Sequence, residues 1–318
     1  MSQIWFYTMN SILMLILVMI MTLLSTAFLT LYERKIMGLF HYRKGPNKVS
    51  FIGILQPFSD ALKLIFKEYF YPMKVNFIMY LISPMLMFML IMLMWLIYPF
   101  FSNLIQFNFS FIFFLSMMSM GVYGLIFSGW SSNSLFSMIG SIRSLAQSIS
   151  YEVSFSLSVM TLLMINNSMN LFMTIQYKKN ILYLMLTTPI LMIMLISILA
   201  EINRTPFDLS EGESELVSGF NVEYSSSKFV LIFLSEYASI LFMMYLLMYL
   251  FMLNFFSLLN YVILIMLILL ITWIRMTFPR IRYDILMMFC WKFLLSITLI
   301  MFMYMLINYK FFMDLMNI

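Results

Sequence analysis

Residues 4–31 read IWFYTMNSILMLILVMIMTLLSTAFLTL, an apolar run without one acidic or basic side chain. A helix crosses about 30 Å of hydrocarbon with about 20 such residues, so this stretch predicts a membrane span. Similar runs near 77–101, 107–127, 146–165, 181–200, 229–253, 258–274 and 285–307 predict seven more. The 318 residues are 64% hydrophobic and 10% charged. Soluble domains are about 45–50% apolar and about 25% charged, so a soluble globular enzyme and a disordered chain are both excluded. The expected fold is all-α, a single membrane-embedded domain over 1–318 with about eight transmembrane helices.

Cys290 and His41 are the only residues of their kinds. A disulfide framework, a Cys-ligated cluster, a haem with two histidine ligands and a zinc site are therefore beyond this chain alone, and no metal site is expected in it. Any redox centre lies elsewhere. The net charge of +5 does not point to nucleic acid, because the basic residues lie between apolar segments. The 37 Met and 34 Phe against 9 Gly read as AT-rich coding with the extra Met codon of animal mitochondria. The N-terminus carries no Arg-rich transit pattern.

Eight spans put both termini on one side. Fifteen Lys and Arg then fall on the opposite side, and only Lys178, Lys179 and Lys310 on the side of the termini, a strong positive-inside bias. All acids except Asp314 lie at or near the basic side, which suggests a docking surface for a hydrophilic partner. In the first connection, Phe58, Ala61, Leu62, Ile65, Phe66 and Tyr69 form a helical stripe behind Pro57, with Asp60, Lys63 and Lys67 on the other face. An amphipathic helix over 57–69 lying in the interface plane follows. Ser150, Ser154 and Ser158 make a small-residue face on the fourth span, suited to close helix packing.

The connection 201–224 is the most unusual stretch. Glu201, Asp208, Glu211, Glu213, Glu215 and Glu223 meet a single Arg204 there. Thr205, Pro206 and Asp208 have the spacing of a helix start with a capping box. Glu152 lies about 20 Å from the far end of its span, and Glu236 about 12 Å inside its own. Acids within a membrane usually mark ion or proton paths, and three converging spans favour a proton relay.

Several motifs together identify a family: Glu33-Arg34-Lys35, Arg43 to Lys48, Gly129 to Asn133, Arg143, Ala146-Gln147, Ser150 to Val153, Glu201 to Glu215 and Pro279 to Asp284. They resemble the chain 1 family of NADH-ubiquinone oxidoreductases, the quinone-chamber membrane subunits of respiratory complex I, in an insect-like version. The resemblance implies a ubiquinone chamber formed with hydrophilic partners on the matrix face. It also implies antiporter-like membrane subunits as further partners, with iron–sulfur clusters and FMN held elsewhere in the assembly. By the same resemblance, Arg34, Phe58, Asp60, Phe220, Tyr224 and Arg282 belong to the chamber and its entrance. Glu152, Glu201, Asp208, Glu211, Glu213, Glu215, Glu223 and Glu236, with Arg143 and Tyr151, belong to the proton path. Arg34 and Arg282 are expected to offset buried acids. Lys228 departs from the family pattern near the entrance. The implied location is the mitochondrial inner membrane, with both termini on the intermembrane-space side.

A proton-coupled secondary transporter would show an internal repeat and matched broken spans. No repeat is visible, and Pro84 and Pro189 stand isolated. A simple membrane anchor for a soluble dehydrogenase would not need intramembrane acids. The membrane subunit of a related hydrogenase is a closer rival, disfavoured by the mitochondrial composition. The charge bias predicts that protease added to mitoplasts cuts near Lys178 and spares 201–228. Cleavage within 201–228 from outside would overturn the eight-span topology.

Overall fold

A computed structural model describes residues 2–98, 107–166, 168–170, 181–210, 212, 219–221, 223–251 and 258–316. Among these residues there is helix and no strand. The long elements are α1 (Ser2–Phe40), α2 (Gln56–Ile65), α3 (Phe77–Met94), α4 (Ser110–Ser131) and α5 (Leu135–Asn166). They continue with α6 (Ile181–Glu201), α7 (Ser226–Phe251), α8 (Leu258–Thr277) and α9 (Tyr283–Met288). A π-helical turn, Phe289–Leu294, carries α9 into α10 (Leu295–Met316).

Six helical stretches among the described residues are long and apolar enough to cross a membrane: Trp5–Phe40, Phe77–Ile97, Ser110–Ser131, Ser226–Phe251, Leu258–Thr277 and Tyr283–Asn308. The remaining two long helices are less plainly apolar. Helix α5 carries Arg143, Glu152 and many serines, and the apolar described part of α6 is the shorter stretch Thr187–Glu201.

Helix α7 is the central post. Its most apolar stretch is 61% buried, against 17–33% for the other five, and it packs against α1, α2, α3, α6 and α8. The outer helices do the opposite. Helix α1 exposes Trp5, Phe6, Leu13, Leu17 and Met21, and α10 exposes Leu299, Ile300 and Met303. Apolar faces this continuous are stable only where hydrocarbon replaces water.

The small face of α5 is real and inward. Ser150, Ser154 and Ser158 are buried, and each hydroxyl donates to the carbonyl three residues before it. Satisfied within their own helix, they add little bulk, and α5 packs on α4, α6 and α10. Helix α2 begins as expected, with Pro57 in its first turn, but ends at Ile65 rather than at residue 69. Tyr69 leaves the stripe to pack edge-to-face on Tyr71, with ring centroids 5.0 Å apart.

The approach of α4 to α5 depends on Gly129. A Cβ added there would collide with the Ser141 hydroxymethyl group and lie 2.9 Å from the Ser137 carbonyl oxygen. Gly129→Ala should cost about 1–3 kcal/mol by overpacking, read as a lower thermal midpoint of the purified assembly. Adding Ser141→Gly should recover part of the loss, and an unchanged midpoint for Gly129→Ala would refute the close contact.

Candidate functional site

The end of α6 and the turns after it form the floor of the site. The capping-box spacing predicts a helix from Thr205, but residues 202–210 form turns instead. The reason lies in tertiary competition for the carboxylate such a box would use. Thr205 Oγ1 has no hydrogen-bond partner among the described residues, and the Asp208 carboxylate meets Arg280 Nη2 at 3.1 Å. Gln147 on α5 donates to the carbonyls of both Ala200 and Phe207, each at 2.8 Å. Ile281 N–H donates to the Pro206 carbonyl at 3.0 Å. The stretch is stitched to α5 and to the α8–α9 connection rather than to itself.

Behind these turns lies a buried ionic cluster around Glu33. This side chain is 5% exposed near the end of α1. Tyr237 on α7 donates to its Oε2 at 2.7 Å, and Arg275 on α8 pairs with Oε1. Arg204 Nη1 stands 3.6 Å from the same oxygen, with its guanidinium 4.7 Å above the Tyr237 ring. Burial opposes the charge of Arg204, but the Glu33 carboxylate, Tyr237 and Glu236 outweigh it and raise its pKa above the ordinary value. Arg204 therefore stays cationic.

Beside Arg204, a cavity of about 110 Å³ opens between α3, α4, α5, α6 and α7. Methionines and Phe242 form its apolar wall, while Glu201, Glu236, Arg204, Ser148 and Ser239 face it from the polar side. Glu201 Oε2 is buried there without a hydrogen-bond partner among the described residues. Glu152 is half-buried on α5, close enough to repel the Glu201 charge. Two of the expected acids, Glu201 and Glu236, thus face one polar space from two different helices, with Glu152 acting on Glu201 from α5.

The remaining expected residues divide by place. Tyr151 is buried, donates to the Leu286 carbonyl at 3.4 Å and faces Phe207. Arg143 is half-buried on α5. Tyr224 is buried and stacked on Tyr80 at 4.3 Å, its hydroxyl 2.9 Å from Ser83 Oγ. The Glu223 carbonyl accepts from Tyr80. On the surface, Arg34 pairs with Asp60 at 2.6 Å, and Phe58 sits edge-to-face on Phe28 at 5.9 Å. Glu211, Glu213, Glu215 and the Phe220 side chain lie outside the described residues, as do Lys178, Lys179 and the side chains of Lys310 and Asp314.

One expectation needs correcting. Among the described residues, Arg34 and Arg282 do not meet the buried acids: Arg34 is tied to Asp60, and Arg282 pairs at 3.0 Å with Asp284, both of them largely exposed. Arg204, Arg275 and Arg280 do so instead: Arg275 from the last turn of α8, Arg204 and Arg280 from the connections after α6 and α8. Glu33 and Gln147 were also absent from the expected site. A signal for Glu33 was present, since Thr22, Thr26, Leu29 and Glu33 share one helical face, and all four are buried. Among the described residues no group of three or more His, Cys, Asp or Glu could hold a metal ion.

The class defined by this fold and site is a polytopic helical membrane protein with a buried, carboxylate-lined cavity at one end. The sequence model for NADH dehydrogenase matches residues 12–306. The chain is 44% identical over 298 residues to NADH-ubiquinone oxidoreductase chain 1 of Aedes aegypti, covering 93% of each chain. It is 46% identical over 291 residues to that of Apis mellifera ligustica, covering 91% of this chain and 95% of the relative. To that of Artemia franciscana it is 47% identical over 283 residues, covering 88% and 93%. The chain belongs to the NADH dehydrogenase family.

Glu33 should tolerate no loss of charge. Glu33→Gln would leave Arg204 buried beside a neutral amide, and breaking a buried pair from one side costs about 3–5 kcal/mol. The expected result is loss of assembled complex or a large drop in its thermal midpoint. Glu33→Asp should retain more stability than Glu33→Gln. Equal stability of Glu33→Gln and the parent would remove the ionic cluster from any structural role.

Proposed function

We propose that the chain is a core membrane subunit of a proton-pumping NADH:ubiquinone oxidoreductase. In this reading it lies in the mitochondrial inner membrane beside other subunits of that complex. Family membership over most of the chain supports this, as do the names of the relatives. The observation that carries the mechanism is the cavity faced by both Glu201 and Glu236, with Arg204 at its edge.

The finer reading follows the charge distribution. Eight spans place the two termini on the intermembrane-space side and the acidic and basic connections on the matrix side. There, hydrophilic subunits carrying FMN and iron–sulfur clusters would dock and deliver electrons. Ubiquinone would enter from the bilayer past α2, with Arg34, Phe58 and Asp60 at the opening, and its headgroup would reach the 201–224 connection. As each quinone carbonyl gains an electron it also takes up a proton. Acids of that connection, Asp208, Glu211, Glu213, Glu215 and Glu223, are positioned by sequence to supply protons or to feel the new charge.

This chain's own residues would then pass the change inward. Two carboxylates, Glu33 and Glu236, both act on Arg204. A proton gained or lost at Glu236 alters how firmly Arg204 is held at Glu33. Glu201, unpartnered at one oxygen and facing the same cavity, can exchange a proton with water held there, for which the cavity is large enough and polar on one side. Glu152 lies next on this route, toward the antiporter-like partners. Tyr151 and, further back, Arg143 precede it on α5.

Gln keeps the size and hydrogen bonding of Glu but cannot carry the proton. Glu201→Gln should assemble normally yet lose inhibitor-sensitive quinone reduction by about 100-fold, the lower end for a positioned proton-transfer group. Glu152→Gln should lose proton pumping with it. NADH oxidation by a hydrophilic artificial acceptor should survive in both. A Glu201→Gln complex that reduces quinone and pumps at the parent rate would remove Glu201 from the path.

A further inference from the structure

Lys228 stands on the first turn of α7, is 5% exposed, and its Nζ has no hydrogen-bond partner among the described residues. A buried ammonium without partners is costly, so its surroundings must hold it by other means. Four aromatic rings do so. The Nζ lies 4.1 Å from the Tyr80 ring centroid and 4.3 Å from that of Tyr69, with Tyr71 at 5.8 Å and Phe77 at 6.0 Å. A cation over ring faces within about 6 Å is attracted by their quadrupoles, most strongly when water is excluded.

The rings are not scattered. Tyr69 and Tyr71 belong to the connection between α2 and α3, and Phe77 and Tyr80 to the first turns of α3. Tyr69 packs edge-to-face on Tyr71, and Tyr71 on Phe77 at 5.3 Å. Tyr80 stacks on Tyr224, just before α7. Ser225 Oγ adds one hydrogen bond to the Phe70 carbonyl at 3.0 Å. The whole connection closes around one cation carried by α7. Helix α2, which lies directly before it and packs on α1 and α7, is thereby held at its C-terminal end.

We infer that Lys228 is a positioning residue: its caged ammonium clasps the α2–α3 connection to α7 and so sets the lateral opening through which a lipid-soluble quinone reaches the site. This rests on the quinone reading proposed above. Met at this position fills nearly the same space without the charge, whereas Arg retains a cation that stacks on rings.

The test uses the assembled complex carrying Lys228→Met, Lys228→Arg or Tyr69→Leu, the last serving if Lys228→Met fails to assemble. Hydrogen exchange over residues 66–76 reports the clasp. The apparent KM for a long-tailed ubiquinone reports the opening. Lys228→Met and Tyr69→Leu should speed exchange in 66–76 and change that KM by about three- to tenfold, with kcat for NADH oxidation by a hydrophilic acceptor unchanged. Lys228→Arg should restore both readouts. Unaltered exchange in Lys228→Met would overturn the clasp. Faster exchange with an unaltered quinone KM would overturn its role at the opening. A parent complex that does not reduce quinone would instead refute the function proposed above and leave the exchange result to judge the clasp.

Discussion

A carboxylate buried at the end of α1 is the constraint on which the site depends. Glu33 is charged, nearly inaccessible and surrounded by helices that otherwise present apolar faces. Such a group is stable only if cations and donors come to it. They come from three other elements: Tyr237 from α7, Arg275 from α8 and Arg204 from the turns after α6. Meeting that requirement fixes where the 201–210 turns sit relative to the central post. It also leaves Arg204 at the rim of the cavity that Glu236 faces as well.

The turns are then closed by groups that a regular helix would have kept for itself. Gln147 takes the Ala200 and Phe207 carbonyls, and Arg280 takes Asp208. These contacts join α5 and the α8–α9 connection to the same floor. The π-helical turn after α9 lies against this region as well, with Cys290 donating to the Ser150 carbonyl at 3.3 Å. Extra residues in a helical turn re-aim what precedes them. Here they carry the chain from the Arg280 and Arg282 loop into the long apolar run of α10. Around the site, helices are thus positioned by polar contacts, while the lipid-facing helices need only remain apolar.

Two kinds of cation behave differently in this arrangement. Arg34 and Arg282 pair with acids near water, where such bridges contribute little. Arg204 and Arg280 pair where water is scarce and the loss of either partner is severe. Lys228 follows neither pattern: it is held by ring faces rather than by a carboxylate. Sequence spacing does not separate these cases, because all five are basic residues in loops or at helix ends.

Much of the fold was legible before any coordinates. Apolar runs mark membrane helices because hydrocarbon accepts only long stretches whose backbone bonds are internal. The small face of α5 and the amphipathic start of α2 were read from periodicity alone, and the rise per residue put three acids on separate spans, in the inner half of the membrane or at its edge. That Glu201 and Glu236 face one cavity could not be read, since it depends on how α3, α4, α5, α6 and α7 rotate and pack. Nor could the capping box be judged. Thr205, Pro206 and Asp208 satisfy its local spacing, but Arg280, lying 72 residues beyond Asp208, outcompetes it for the carboxylate. The sequence by itself determined which segments are apolar enough for a membrane and which residues can carry charge or protons, because those depend on side-chain chemistry and short-range period. Only the tertiary structure decided which acid meets which cation, because a buried charge is satisfied by whatever the packing of distant helices brings within a few ångströms.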